Sequence, residues 1–149
     1  MNFNNFTIKS QEAVQQAIQL VQSRGQQAIE AEHLLAGVLK VGENVTNFLF
    51  QKLGLNGLQI SNVLDKQISS LPKVTGGEPY LSRTANEVLQ KSVALSKSLG
   101  DEYVSLEAML LALLNVKSTA ATILKDAGMN EKDLRAAIEE LRQGQKVTS

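Results

Sequence analysis

The chain lacks several features that specify particular classes of protein, beginning with cysteine. None of its 149 residues is a cysteine, so disulfide frameworks and thiolate sites are excluded. Fifteen basic and fifteen acidic side chains cancel, and no basic block or set of stacking aromatics favours nucleic acid as a partner. No apolar run approaches the roughly 18 residues that span a bilayer, and the N-terminus has no signal-peptide pattern. We therefore expect a soluble, cytoplasmic protein that binds neither nucleic acid nor membrane.

Motifs for catalysis are also missing from the sequence. There is no G-x-x-x-x-G-K-[ST] phosphate loop, so this chain alone should not hydrolyse ATP. His33 is the only histidine, and it has neither a nucleophile motif such as G-x-S-x-G nor further ligands at metal-binding spacing. We interpret His33 as a satisfied, partly buried side chain, and we expect no catalytic residue, metal or cofactor in this chain.

What the sequence does contain is an internal duplication. Residues 7–68 recur at 82–142, with an offset of 75 that becomes 74 after one deletion. Identical pairs include Glu12/Glu87, Leu20/Leu95, Gly25/Gly100, Glu32/Glu107, Leu39/Leu114 and Gly54/Gly128. The period exceeds the roughly 20 to 50 residues of solenoid repeats, so each copy should contain several helices and the copies should pack as two related halves.

The apolar spacing predicts an all-α fold. Val14, Ala17, Ile18 and Val21 lie at i, i+3, i+4 and i+7, which predicts a helix over about residues 9–24. Similar sets recur along both copies and predict eight helices, arranged as two pseudo-twofold-related four-helix repeats. The predicted boundaries are repeat one at about 7–71, a linker with two prolines and paired glycines at 72–80, repeat two at about 81–142 and a tail at 143–149.

Polar residues occupy matching positions in the two copies. Thr7 and Ser82 each precede the first helix, where a hydroxyl can accept a bond from a free backbone N–H. Glu32 and Glu107 each fall in the first turn of the second helix, where the helix dipole favours a carboxylate. All four residues therefore have a structural role available.

Four stretches resemble the N-terminal domain of the Clp-type protein-unfolding ATPases, an AAA+ family, and especially its ClpB-type heat-shock disaggregases. They are Phe6-Thr7, residues 29–35 (IEAEHLL), the linker from Leu71 to Ser82, and residues 100–107 (GDEYVSLE). The resemblance covers essentially the whole chain, and residues 144–147 (GQKV) resemble the start of the segment leading to the first ATPase module. It implies one Clp N-domain over 1–149.

The resemblance also implies a function and partners. Domains of this family recognise unfolded or aggregated polypeptide for a stress-response chaperone, whose missing modules use ATP and magnesium. The parent protein would be a homohexamer that cooperates with the DnaK chaperone system. The alternative is a ClpC-type regulatory domain that binds adaptors or phosphoarginine-tagged clients. A hydrolase that uses Glu32 and Glu107 is a third, much weaker alternative.

Candidate binding residues follow from a difference between the copies. Val88, Leu95 and Leu99 form a second apolar stripe in the first helix of repeat two, where repeat one has Ala13, Leu20 and Arg24. Such a stripe either belongs to the core or lines a groove for clients.

The resemblance implies polar binding residues as well. It assigns Thr7, Asp101 and Glu107 to substrate handling at the rim of such a groove, although each also has a structural interpretation as a helix cap, a turn residue or a dipole partner. For the ClpC-type alternative it implies two phosphoarginine pockets, one from Glu32 with Thr7 and one from Glu107 with Ser82.

Overall fold

The computed structural model describes residues 2–143 and Val147. Within them it contains eight helices and one pair of two-residue strands, so the all-α prediction is confirmed. In repeat one these are α1 (Ile8–Ser23), β1 (Ala28–Ile29), α2 (Ala31–Val41), α3 (Glu43–Leu53) and α4 (Gly57–Ser69). In repeat two they are β2 (Tyr80–Leu81), α5 (Arg83–Ser98), α6 (Leu106–Asn115), α7 (Thr119–Asp126) and α8 (Glu131–Arg142).

The first helix of each repeat begins after the hydroxyl residue that the sequence predicts as its cap. Thr7 caps α1 by accepting a bond from the Ser10 amide at 3.1 Å, and Ser82 caps α5 by accepting from the Ala85 amide at 3.0 Å. Each helix is followed by a glycine with left-handed backbone, Gly25 at φ 66° and Gly100 at φ 76°. These turns direct the chain towards the second helix of each repeat.

The second helices, α2 and α6, lie at the centre of the domain. Every residue of α6 from Leu106 to Leu114 is buried, and α2 is buried on most of its surface. Apolar residues surround α6 because it packs against α2, α5, α7 and α8. Among helices in the described part of the chain, none alone is long and apolar enough to cross a membrane; α6 and α7 together pass by length and composition, with a bend of 95° between them.

The two repeats are joined by reciprocal strand pairing. Ile29 of repeat one pairs in parallel with Leu81 of repeat two, and Phe6 of repeat one pairs in parallel with Val104 of repeat two. Both bridges are duplicated equivalents, because Phe6 corresponds to Leu81 and Ile29 to Val104 at the offset of 75. Each repeat therefore provides the strand that precedes its first helix to the other repeat.

The linker lies along the α1–α2 turn of repeat one. The Val74 amide donates to the Gly25 carbonyl at 2.9 Å, and the Tyr80 amide donates to the Gln27 carbonyl at 3.1 Å. Tyr80, which we assigned to the linker, belongs to β2. Of the predicted tail, residues 144–146 and 148–149 lie outside the described residues.

Candidate functional site

An apolar groove of about 1050 Å³ opens on repeat one, between α1, α2, α3 and α4. Aliphatic and aromatic side chains form much of its lining, namely Leu20, Ala36, Leu39, Phe50, Leu55, Leu58, Leu64 and Ile68. Leu58 is 73% exposed at its edge, whereas Phe50, Leu64 and Ile68 are buried at its base. The groove can therefore bury further apolar side chains from a partner.

The rim of the groove carries charges of both signs. Arg24 forms an ion pair with Asp65, and its second nitrogen donates to the Ser69 hydroxyl at 2.7 Å, which joins α1 to α4. Lys40 and Glu43 also line the groove. Because the rim charges balance, affinity for a partner would depend mainly on apolar contact, which is non-directional and tolerates many sequences.

The predicted apolar stripe of repeat two does not line this groove. Val88 is fully buried, Leu95 is 8% exposed, and Leu99 is half-buried against the same core. Val88 and Leu95 therefore belong to the core, whereas Leu99 is partly buried beside it. The repeat-one equivalent of Leu95, Leu20, is the one that lines the open groove.

Two small residues of α2 contribute to the lining of the repeat-one groove. Ala36 and Gly37 line it, and their equivalents in α6 are Leu111 and Ala112, both fully buried. Comparing α1 with α5 missed this difference, but the Ala36/Leu111 substitution in the aligned copies was a visible signal.

Asp101 and Glu107 lie together, and Arg142 at the end of α8 forms an ion pair with each of them. Its guanidinium bonds Asp101 Oδ1 at 2.9 Å, Glu107 Oε2 at 2.9 Å and the Ser105 hydroxyl at 2.9 Å. The second Asp101 oxygen, Oδ2, lies 2.9 Å from Nη2 of Arg142. Burial alone would lower the pKa of Arg142, but its bonds to Asp101 and Glu107 outweigh that effect and raise the pKa.

Val147 contacts the same carboxylate. The Val147 amide donates to Asp101 Oδ1 at 2.9 Å, and the Val147 carbonyl accepts bonds from the amides of Glu102 at 2.9 Å and Tyr103 at 3.4 Å. Asp101 and Glu107 were expected to face a client at a groove rim. In the structure Arg142 donates hydrogen bonds to both carboxylates, and the Val147 amide donates a further one to Asp101.

Thr7 is associated with repeat two. Its side chain caps α1, and its amide donates to the Val104 carbonyl at 3.0 Å, three residues before Glu107. In the equivalent contact the Ser82 amide donates to the Ile29 carbonyl, three residues before Glu32, also at 3.0 Å. The backbone thus brings Thr7 towards Glu107 and Ser82 towards Glu32, the reverse of the combinations that we proposed for phosphoarginine pockets.

Repeat one has a neutral counterpart of the Arg142 cluster. His33 is fully buried, more than we predicted. Its Nδ1 accepts from the Glu30 amide at 2.9 Å, so its Nε2 carries the proton and donates to Gln26 Oε1 at 2.7 Å. Gln26 donates to the Ile68 carbonyl at 2.6 Å. The sequence analysis did not single out Gln26. Burial, with the charge of Arg24, lowers the pKa of His33 to about 4.

Glu32 differs electrostatically from its equivalent Glu107. It is 6% exposed, and among the described residues no Lys, Arg or His side chain lies within ion-pair distance of it. Burial, together with the neighbouring charge of Glu30, raises its pKa. No group of three His, Asp or Glu side chains within residues 2–143 is placed to hold a metal ion.

Comparisons with known proteins agree with this architecture. A family model described as the Clp repeat (R) N-terminal domain matches residues 5–127. The Hsp104 N-terminal domain from Candida albicans superposes with a TM-score of 0.86 at 22% identity, covering 98% of this chain and 97% of that one. A ClpV N-domain in complex with a VipB peptide gives a TM-score of 0.76 at 21% identity, covering 96% and 90%. The chain is a duplicated, all-helical domain of the Clp N-terminal family.

Within that family the chain corresponds to the N-terminal region of ClpB chaperones. It is 75% identical over 149 residues to the chaperone protein ClpB of Bacteroides thetaiotaomicron, and 54% identical over 149 residues to that of Porphyromonas gingivalis. All of this chain is matched in both comparisons, and it spans 17% of the length of each relative.

Proposed function

We propose that this domain captures unfolded or aggregated polypeptide in the repeat-one groove, on behalf of a ClpB-type disaggregase. The observation that carries the proposal is an open apolar groove with Leu58 exposed at its edge and a charge-balanced rim. The ClpV N-domain solved with a VipB peptide supports peptide binding by a domain of this fold. ATP and magnesium, a homohexamer, cooperation with DnaK and a cytoplasmic location would belong to the parent protein.

A substitution at the edge of the groove tests the proposal. Leu58→Asp should weaken binding of a permanently unfolded probe, reduced and carboxymethylated lactalbumin, by about tenfold or more, because a buried leucine contributes roughly 1.5 to 3 kcal/mol. Fluorescence anisotropy of the labelled probe gives the affinity. Since Leu58 is 73% exposed, far-UV circular dichroism should be unchanged.

Two other exposed apolar residues provide matched controls. Val63 lies on the same helix but outside the groove lining, and Ile8 is 76% exposed beside Thr7. Val63→Asp and Ile8→Asp should bind the probe as the parent does. Equal losses of affinity in all three variants would indicate non-specific apolar binding and would reject the groove as the site. A loss of affinity only in Ile8→Asp would indicate a binding site near Thr7.

A second candidate function is recognition of phosphoarginine, favoured by one observation. Glu32 is buried without an ion-pair partner among the described residues, whereas Glu107 already holds Arg142. Only one of the two expected pockets is therefore available to a guanidinium ligand. Calorimetry with free phosphoarginine should then give about one site that Glu32→Ala removes; an absence of heat would exclude this candidate.

A further inference from the structure

Four residues that line the repeat-one groove have a carboxamide side chain. Gln16 and Gln19 lie at i and i+3 on α1, and Asn47 and Gln51 lie at i and i+4 on α3. Residues at these spacings share one face of a helix, so each pair brings two carboxamides to the groove. Two of the four helices around the groove therefore add uncharged hydrogen-bonding groups to its apolar lining.

The four carboxamides form no hydrogen bond with any other group in the described part of the chain. Two hydroxyls of the same lining differ in this respect, because Ser23 donates to the Leu20 carbonyl at 3.0 Å and Thr46 donates to the Gly42 carbonyl at 3.1 Å. Each carboxamide has an oxygen that accepts and two N–H groups that donate, so it can pair with either kind of backbone group of a partner.

Repeat two has no carboxamide at the positions that align with these residues. The equivalents of Gln16, Gln19 and Asn47 are Lys91, Ala94 and Thr122. Gln51 lies within the stretch where the offset between the copies changes. The fold of the repeat therefore does not require carboxamides at these positions, and they occur in the repeat whose groove they line.

An extended segment differs from a helical one in the state of its backbone. Its N–H and C=O groups have no partners within the segment, and burying such a group without a partner is unfavourable. A helical segment pairs these groups internally, so it gains little from carboxamides in a groove. Because every residue has the same backbone, pairing of this kind does not depend on the side chains of the client.

We propose that Gln16, Gln19, Asn47 and Gln51 make the groove selective for an extended polypeptide segment, by bonding to its backbone N–H and C=O groups. The proposal rests on the groove being the client site, and it adds the conformation in which the client is held. From Gln16 to Ser23 helix α1 rises about 10 Å, which equals about three residues of extended chain. Apolar contacts then provide the affinity, and the carboxamides favour extended segments over helical ones.

The charged residues of the lining are compatible with a backbone ligand. Arg24 is paired with Asp65 and donates to the Ser69 hydroxyl, and Lys40 and Glu43 have opposite charges. A polypeptide backbone has polar groups but no net charge. A groove with balanced charges and neutral donors and acceptors is complementary to it.

Replacing one glutamine on each of the two helices by methionine tests the proposal. Gln19→Met/Gln51→Met removes two carboxamides, keeps long unbranched side chains and adds apolar surface. Affinity for reduced and carboxymethylated lactalbumin should fall by about tenfold in anisotropy measurements, because client backbone groups lose their partners. If apolar contact alone determined binding, the affinity would rise instead. Both residues are exposed and methionine is a good helix former, so far-UV circular dichroism should be unchanged.

Gln15→Met/Gln22→Met is the matched control. Both glutamines are exposed on α1 and lie outside the groove lining, so this variant should bind lactalbumin as the parent does. An equal loss of affinity in this control would show that the position of the carboxamides does not matter, and it would overturn the proposal.

Two peptides test the conformational preference in the parent chain itself, which keeps the proposal testable if the methionine variant loses helicity. One is a short, fluorescein-labelled amphipathic peptide, and the other is the same peptide locked as a helix by a lactam between Lys and Glu side chains at i and i+4. A groove that binds helices should prefer the locked peptide, whose ordering cost is already met. We expect the parent to prefer the open peptide by about tenfold, and Gln19→Met/Gln51→Met to lose most of this preference.

Parent-like or tighter binding of lactalbumin by a folded Gln19→Met/Gln51→Met, or a locked peptide that binds the parent as tightly as the open one, would overturn the proposal. Leu58→Asp separates this result from a failure of the groove itself. If Leu58→Asp loses affinity and the methionine variant does not, the groove remains the client site and the carboxamides have no role. If Leu58→Asp also binds as the parent does, the groove is not the site.

Discussion

Ala36 and Leu111 occupy equivalent positions in the aligned repeats, but only Ala36 lines the repeat-one groove. Ala36 lines the groove, and Leu111 is fully buried. An interior packed at native density leaves no room for a groove where a leucine fills the position. The two repeats thus have the same fold but different surfaces.

Filling the groove from inside should weaken binding without harming the fold. Ala36→Leu places the repeat-two residue in repeat one, and the side chain should occupy space that a client would use. We expect affinity for the unfolded probe to fall by about tenfold or more, and the free energy of unfolding to stay within about 1 kcal/mol of the parent. Anisotropy and urea denaturation measure the two quantities; parent-like binding would show that clients avoid this part of the groove.

The reverse change in repeat two should affect stability alone. Leu111→Ala removes a fully buried side chain, so it should lower the free energy of unfolding by about 2 to 5 kcal/mol. Binding of the probe at a temperature where the variant is folded should equal that of the parent. A gain in binding would indicate that the cavity opens into a second groove.

Leu95 should behave as a core residue. Leu95→Ala should destabilise the domain by about 2 to 4 kcal/mol in urea denaturation, because the side chain is buried. Leu95→Asp should also reduce helicity, since it places a charge in the core. If Leu95→Ala keeps the stability of the parent but loses probe binding, Leu95 contacts the client and the core assignment is wrong.

Gly37 allows α2 to approach α1 closely, and this contact should not tolerate a side chain. A Cβ on Gly37 would lie 2.2 Å from the Ala13 carbonyl oxygen, which belongs to the backbone and cannot rotate away. Gly37→Ala should therefore cost about 1 to 3 kcal/mol of stability, although alanine is the better helix former. The equivalent position in repeat two is Ala112, where Ala112→Gly should cost only about 1 kcal/mol. Thermal or urea denaturation measures the stability of both variants. A Gly37→Ala variant more stable than the parent would contradict the prediction.

His33 should make the domain less stable in mild acid. Folding lowers its pKa from 6.5 to about 4, so the ring is neutral in both states above pH 6.5. Between those two values only the unfolded chain binds the proton, and stability therefore falls as the pH falls, by about 3 kcal/mol in total. Urea denaturation of the parent and of His33→Asn across pH 7 to 4 isolates the effect. A pH dependence shared by both proteins would assign it to other groups.

Much of the fold could be predicted from the sequence because it depends on local patterns. The i, i+3, i+4 spacing located α1 to within one residue at each end. The site was harder to predict. Arg142 lies 41 residues from Asp101, and no local pattern reports such a contact. The groove is lined in part by Ala36, and a comparison of the copies that looks only for large apolar side chains does not select an alanine.

The reciprocal pairing of Phe6 with Val104 and of Leu81 with Ile29 has an evolutionary consequence. If the two repeats were separate, identical chains, the same two contacts would join them as a symmetric dimer, and every substitution would appear on both sides. Joining them in one chain removes that constraint. One half can then carry an open surface while the other keeps a filled interior.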